Sequence, residues 1–214
     1  MTARPVSLPL RAATALRGGV AMATTAMGYA AGWCFVICAF FIAFEVLARA
    51  LLGFSTGSTV EISGYMLAFG LSWSMAHALS ARGHVRIDIL INRLPRTARV
   101  PLHLLSLGLL GLFIGFVAYG AWMLVDESLL FGASDISALR TPLAIPQGLW
   151  TAGLVMFLVL IIAMFVENLL LAIAGDARQV ERNLASRTYD EEAQEALEAL
   201  EALKDRQSGM EARP

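Results

Sequence analysis

The sequence predicts an all-α integral membrane protein with four transmembrane helices plus an interfacial amphipathic helix, and three observations lead to that class. Of 214 residues, 57% are hydrophobic and only 15% are charged, with a mean hydropathy of +0.66; soluble domains usually carry about a quarter charged residues. Four runs of helical length contain no Asp, Glu, Lys or Arg: Gly18 to Phe44, Ile62 to Ala81, Val100 to Val125 and Gln147 to Val166. At about 1.5 Å per residue, they cover roughly 30 to 40 Å, at least one hydrocarbon thickness. Between the second and third runs, Ile87, Leu90, Ile91 and Leu94 fall on one narrow arc of a helical wheel, with Arg86 and Arg93 on another side, the pattern of a helix lying in a membrane interface. The net charge of -1 gives no global bias toward nucleic acid, and no nucleic-acid partner is expected.

Residues 1 to 27 contain Arg4, Arg11 and Arg17, two prolines and an Ala/Thr-rich run, which reads as an amino-terminal arm leading into the membrane. The apolar stretch that follows is much longer than the roughly 7 to 15 residues of a signal-peptide core, so it is read as a retained span, about 28 to 52. Gly53 is a natural stop. The connection Gly53 to Ser58 is so short that the first and second spans must be antiparallel neighbours. Ser58-Thr59-Val60-Glu61 has capping-box spacing, which starts the second span, about 60 to 81. The basic stretch Ser80 to Asp88 then breaks the pattern. The interfacial helix is expected over about 85 to 94, ended by Pro95. The third span is expected over about 100 to 125, with Pro101 in its first turn. Asp126 to Pro146, with Asp126, Glu127, Asp135, Arg140 and two prolines, reads as a folded loop. The fourth span is expected over about 147 to 174, stopped by Gly175. These elements make 28 to 174 a four-span membrane domain. Residues 175 to 214 form a charged tail, partly helical, in which Ala193, Ala196, Leu197, Leu200 and Leu203 recur three or four apart amid Glu. Alone, such a helix is marginal, and docking to a partner competes with a frayed, solvated tail.

Lys and Arg are distributed very unevenly: three in 1 to 27, five in 82 to 99, six in 175 to 214, and only Arg49 and Arg140 elsewhere. The positive-inside rule therefore places both termini and the basic hinge in the cytoplasm. The Gly53 to Ser58 turn and the loop before the fourth span then lie outside.

Few residues offer chemistry. Glu45 and Arg49 stand one turn apart, in the order that suits both pairing and the helix dipole. Glu61 sits at the same depth on the antiparallel neighbour, so Glu45, Arg49 and Glu61 are expected to form a structural charge cluster. Glu167 has no obvious partner in sequence and reads as solvated at an interface. Cys34 and Cys38 lie one turn apart in an apolar segment and read as packing residues. His77 and His103 sit near the same ends of adjacent spans and invite comparison with haem ligands, but no second pair exists across the bundle. Trp33, Trp73, Trp122 and Trp150 read as span anchors and packing residues. No phosphate-binding glycine loop, metal-ligand cluster or nucleophile triad appears, so no catalytic, substrate-binding or metal residue is assigned and no enzyme activity is expected.

Taken together, Glu45-Val46-Leu47-Ala48-Arg49, Val60-Glu61-Ile62-Ser63-Gly64-Tyr65, Gly83-His84-Val85-Arg86-Ile87-Asp88 and Thr141-Pro142-Leu143-Ala144-Ile145-Pro146 resemble the small, four-span, Q-type (DctQ-like) membrane subunit of TRAP transporters, the tripartite ATP-independent periplasmic importers. The resemblance covers about residues 28 to 174. It implies a multi-pass protein of the bacterial or archaeal inner membrane whose partners are a large multi-span membrane subunit and a periplasmic solute-binding protein. It also implies organic-acid uptake by symport, typically sodium-coupled, with the coupling ion held by the large subunit and no cofactor in this chain. The small subunit would act as a scaffold bracing the large one. On that reading Arg82, His84, Arg86, Ile87, Asp88, Leu90, Ile91, Arg93 and Leu94 would contact membrane lipid headgroups and the partner. Two readings of other classes compete: a haem-binding redox subunit, and a small autonomous channel or exporter. The tail after Gly175 lies outside the family pattern.

Overall fold

The computed structural model describes residues 8–82, 95–136, 139–184, 193–194, 196–198 and 200–204. Four long helices and one short one account for nearly all of them: α1 (Leu8–Leu47), α2 (Thr59–Ser80), α3 (Arg96–Phe131), α4 (Ala144–Ile173) and α5 (Ala177–Leu184). Three stretches are long and apolar enough to cross a membrane: Leu8–Leu52, Ala98–Phe131 and Ala144–Ile173. At 22 residues α2 is also long enough, about 33 Å, but Glu61, His77 and several serines make it less apolar. Ser72, Ser74 and Ser80 donate to the carbonyls of Phe69, Leu71 and His77 within their own helix, so these hydroxyls need no water. The interfacial helix expected over 85 to 94 lies outside the described residues.

α1 starts with Pro9 in its first turn, where its missing N–H costs nothing, and it runs unbroken through the expected arm boundary at 27/28. Before Gly53 the helix widens into a π turn, Ala48–Leu52. Gly53 (φ 69°) and Gly57 (φ 70°) then supply the left-handed backbone of the turn to α2. The capping box does not form: Ser58 makes no side-chain cap to the helix, and its hydroxyl donates instead to the Thr56 carbonyl at 3.5 Å.

α3 is longer than expected at both ends. Pro95 precedes it, so Pro101 is its sixth residue and not part of its first turn. At the other end, nothing before Gly132 stops the helix, and Asp126 and Glu127 stay helical. Gly132 (φ 58°) closes it, with the amide of Ala133 donating to the Ser128 carbonyl at 3.0 Å, a Schellman arrangement. The loop is therefore 132–143, shorter than expected, and is pinned by Asp135 N–H to Thr141 O and Leu143 N–H to Ala133 O, both 3.0 Å. Gly175 ends α4 in the same way, with Asp176 N–H donating to Leu171 O at 3.0 Å and φ 82° at the glycine. Asp176 then starts α5, its carboxylate accepting from the Gln179 N–H at 3.1 Å.

α4 is the centre of the bundle, since it alone packs on α1, α2 and α3. Phe157, Leu160 and Ile161 are fully enclosed there, in one core with Ala76, Leu79, Leu107, Ile114 and Met164. Glycines set the registers. A methyl group on Gly28 or Gly70 would strike His77 or Phe35 at 2.7 and 2.6 Å, so α1 and α2 run antiparallel with aromatic rings seated on bare backbone. Gly108, Gly111 and Gly115 face Phe165, Ile161 and Leu158 in turn, which makes α3 antiparallel to α4. Gly153 lies against Ser72 and Trp73, and Trp73 Nε1 donates to Leu149 O at 2.9 Å.

With Gly153 beside Ser72, α2 stops well short of the end of α4. Below that point α5 folds back against α3 and α4, burying Val180 and Leu184 in the same core as Leu79 and Leu171. The first part of the expected charged tail is thus a structural element. Residues 193–194, 196–198 and 200–204 are also helical and are exposed.

Candidate functional site

Polar side chains that join one helix to another gather at the two ends of the bundle. At the end that carries the α1–α2 turn, Glu45 is 4% exposed; its carboxylate is the hydrogen-bond acceptor there. It accepts hydrogen bonds from Ser55 Oγ (2.5 Å), the Thr56 amide (3.1 Å) and Thr56 Oγ1 (2.9 Å). The turn thus folds back over the acid, which the π turn and two left-handed glycines allow. Arg49 is exposed and forms no ion pair with Glu45 among the described residues. The expected pair is replaced because short hydroxyl and amide donors in the turn reach the carboxylate without immobilising an arginine side chain. Glu61 has a different partner from Glu45. Its Oε1 accepts from Tyr65 Oη at 3.2 Å, and the same Oη lies 2.7 Å from Asp135 Oδ2. Tyr65 therefore links α2 to the 132–143 loop, a contact between residues too far apart in sequence to be paired by spacing.

The other end carries the hinge residue Arg82. Here Arg17 of α1 and Glu167 of α4 form an ion pair, with Glu167 4% and Arg17 35% exposed at the side chain. Glu167 is thus buried and paired, not solvated at an interface, because α1 continues alongside α4 beyond the end of α2. Next to it, fully buried Asn168 donates to Met164 O at 2.7 Å and accepts from Asn183 Nδ2 at 3.2 Å, and Gln179 Nε2 donates to Asn183 Oδ1 at 3.3 Å. Arg82 Nη1 donates to the carbonyl of Arg182 at 3.1 Å, placing a cation at the carboxyl end of α5, where the helix dipole favours it. His84, Arg86, Ile87, Asp88, Leu90, Ile91, Arg93 and Leu94 lie outside the described residues.

Between the two ends the bundle is closely packed. Cys34 Sγ donates to Met66 O at 3.5 Å and Cys38 is buried; both are free thiols. His77 is wedged against Gly28, and His103 is buried on α3. No group of three His, Cys, Asp or Glu side chains arranged to hold a metal occurs among the described residues. A recess of about 140 Å³ is lined by Tyr65, Leu143, Gln147 and Trp150, and another of about 160 Å³ by Ala13, Leu16, Ile162 and Val166. Both are small beside the roughly 300 to 1,000 Å³ of small-molecule sites. This arrangement ties helices together. By contrast the outer faces of α1 and α3 are broadly apolar, with Trp33, Phe40, Leu112, Phe116 and Trp122 all exposed.

A family profile described as "Tripartite ATP-independent periplasmic transporters, DctQ component" matches residues 38–171, more than half of the chain. No curated protein and no solved structure matches it.

Proposed function

The chain belongs to the DctQ component family of the tripartite ATP-independent periplasmic transporters, and from that premise we propose that it is the small membrane subunit bracing the transport subunit of such an importer. The observation that supports this reading is the packed interior: polar links cluster at the two ends, with glycine-to-ring contacts and the Trp73–Leu149 hydrogen bond between them. A body of this kind resists deformation, as a scaffold must, and offers its apolar flanks to a partner and to lipid. On this reading α2 is the fourth span, since it is packed between α1 and α4 despite its lower apolarity. Both termini and the basic hinge face the cytoplasm of a bacterial inner membrane. The partners are a large multi-span subunit, which holds the organic acid and the coupling sodium, and a periplasmic binding protein that meets the 132–143 loop. The segment 85–94 lies flat in the inner leaflet, its arginines on anionic headgroups, and widens the brace. Neither a redox subunit nor an autonomous channel has an observation of its own in its favour.

Reconstitution tests this. Vesicles holding the chain alone should show no uptake, and omitting it from the three-component system should abolish uptake. Ile87→Ser with Ile91→Ser should lower uptake while insertion and orientation stay unchanged. Solute transport by the chain alone would overturn the reading, and full uptake by the double variant would remove the hinge from it.

A further inference from the structure

One hydroxyl hydrogen serves two carboxylates at the end of the bundle that carries the α1–α2 turn. Tyr65 Oη lies 3.2 Å from Glu61 Oε1 and 2.7 Å from Asp135 Oδ2, and a phenol has a single hydrogen to give. When both acids are ionised they compete for it, and the one that loses faces a lone pair across a hydrogen-bond distance. The cost falls hardest on Glu61, whose Oε2 is buried with no hydrogen-bond partner. No cation relieves Glu61 among the described residues. Of the other charged groups at this end, Glu45 is held by Ser55 and Thr56, while Arg49, Asp126, Glu127 and Arg140 are exposed. α4 brings no charged residue before Glu167.

We propose that Glu61, Tyr65 and Asp135 hold one extra proton between them and act as a pH-sensitive latch that ties the 132–143 loop to α2. With that proton in place Glu61 donates to Tyr65 Oη, Tyr65 donates to Asp135, and both contacts are made at once. Two carboxyls gathered at one site share a proton in this way, and the proton belongs to the set, not to one residue. Its loss to water puts a second negative charge beside the first, and Glu61 and Asp135 move apart. Glu61 lies in the first turn of α2 and Asp135 in the loop, so parting them frees the loop from the helix. The closed latch binds one more proton than the open loop, so closure strengthens as pH falls and is lost as pH rises through the titration of the set. Tyr65 also walls the recess lined by Leu143, Pro146, Gln147 and Trp150, which gives water a way to load and unload the proton. The latch stands whether or not the chain serves a transporter.

Two measurements on the full-length chain in detergent test the latch. Infrared difference spectra at neutral pH, wild type minus Glu61→Gln, should show the C=O stretch of a protonated carboxyl, since glutamine donates to Tyr65 without one. Raising the pH should abolish that band. Amide exchange over 132–143 is followed from about pH 5 to about pH 9, relative to the unfolded peptide at each pH, and should speed up by up to about tenfold per pH unit, the limit for one linked proton. Glu61→Gln mimics the protonated acid and should keep the loop slow and indifferent to pH. Tyr65→Phe removes the bridge and should exchange fast at every pH. A wild type without the carboxyl band, loop exchange independent of pH, or a Glu61→Gln chain that still titrates would each overturn the latch. So would slow exchange in Tyr65→Phe, which would leave the tyrosine without a bridging role.

Discussion

Arg17 on α1 and Glu167 on α4 form an ion pair beyond the point where α2 ends, so the first turns of α1 are fastened to the last turns of α4. The two sides of this pair are unequal, since Glu167 is buried and Arg17 reaches solvent. Arg17→Ala leaves a buried carboxylate uncompensated, a loss of up to about 3 to 5 kcal/mol, reduced here because Arg17 is 35% exposed. Glu167→Gln removes the buried charge and leaves an arginine that can turn to water, so it should cost less. Thermal unfolding in detergent should give that order, and the reverse order would show that the pair is not what holds α1 to α4.

The turn between α1 and α2 makes a second comparison possible. Glu45→Ala should lower the unfolding temperature clearly, because the hydrogen bonds from Ser55 and Thr56 lose their acceptor. Arg49→Ala should change it little, as expected of an exposed side chain with no pairing role. The exchange of Glu45→Arg with Arg49→Glu should fail to rescue. Rescue by the exchange would restore the ion pair that helical spacing suggests.

This contrast shows which features are legible in sequence. Uncharged runs and the stops at Gly53 and Gly175 are local, and each matches a helix or its end in the structure. For Glu45, i, i+4 spacing ranks Arg49 first as partner, whereas a ten-residue fold-back brings Ser55 onto the carboxylate. Ser58 and Glu61 have capping-box spacing, yet Tyr65 and the turn take their side chains. Glu167 has no local partner, and no spacing rule connects it to Arg17. α5 looks like the start of a solvated tail because it is short and charged; only Val180, Leu184 and the Asn183–Asn168 bond reveal that it docks.

Glycine seams give a graded prediction. A methyl group at Gly153 would lie 2.6 Å from Ser72 Oγ and 2.9 Å from the Ser72 backbone carbon. Backbone cannot swing aside, so Gly153→Ala should cost about 1 to 3 kcal/mol. Gly64 has open space around it, and Gly64→Ala should be neutral or stabilising by up to about 1 kcal/mol. Equal effects in a thermal melt would refute the close approach of α2 and α4.

Orientation is tested by labelling. A cysteine at Ser137, in the 132–143 loop, should react with a membrane-impermeant maleimide on intact cells, and one at Ser208 only after lysis. The opposite pattern would invert the arrangement that the uneven Lys and Arg distribution implies.

The central position of α4 also governs the order in which the protein can be built. During synthesis α1 and α2 emerge first and find each other through Gly28 and Gly70, and α3 follows with only α4 and the later α5 to pack on. Phe157, Leu160 and Ile161 arrive on the last long helix, so until it inserts, α3 stays loose in a lipid that gives helices little reason to associate. A truncated or stalled chain therefore stays unassembled, exposed to membrane proteases. Only a finished chain can close its helices around α4.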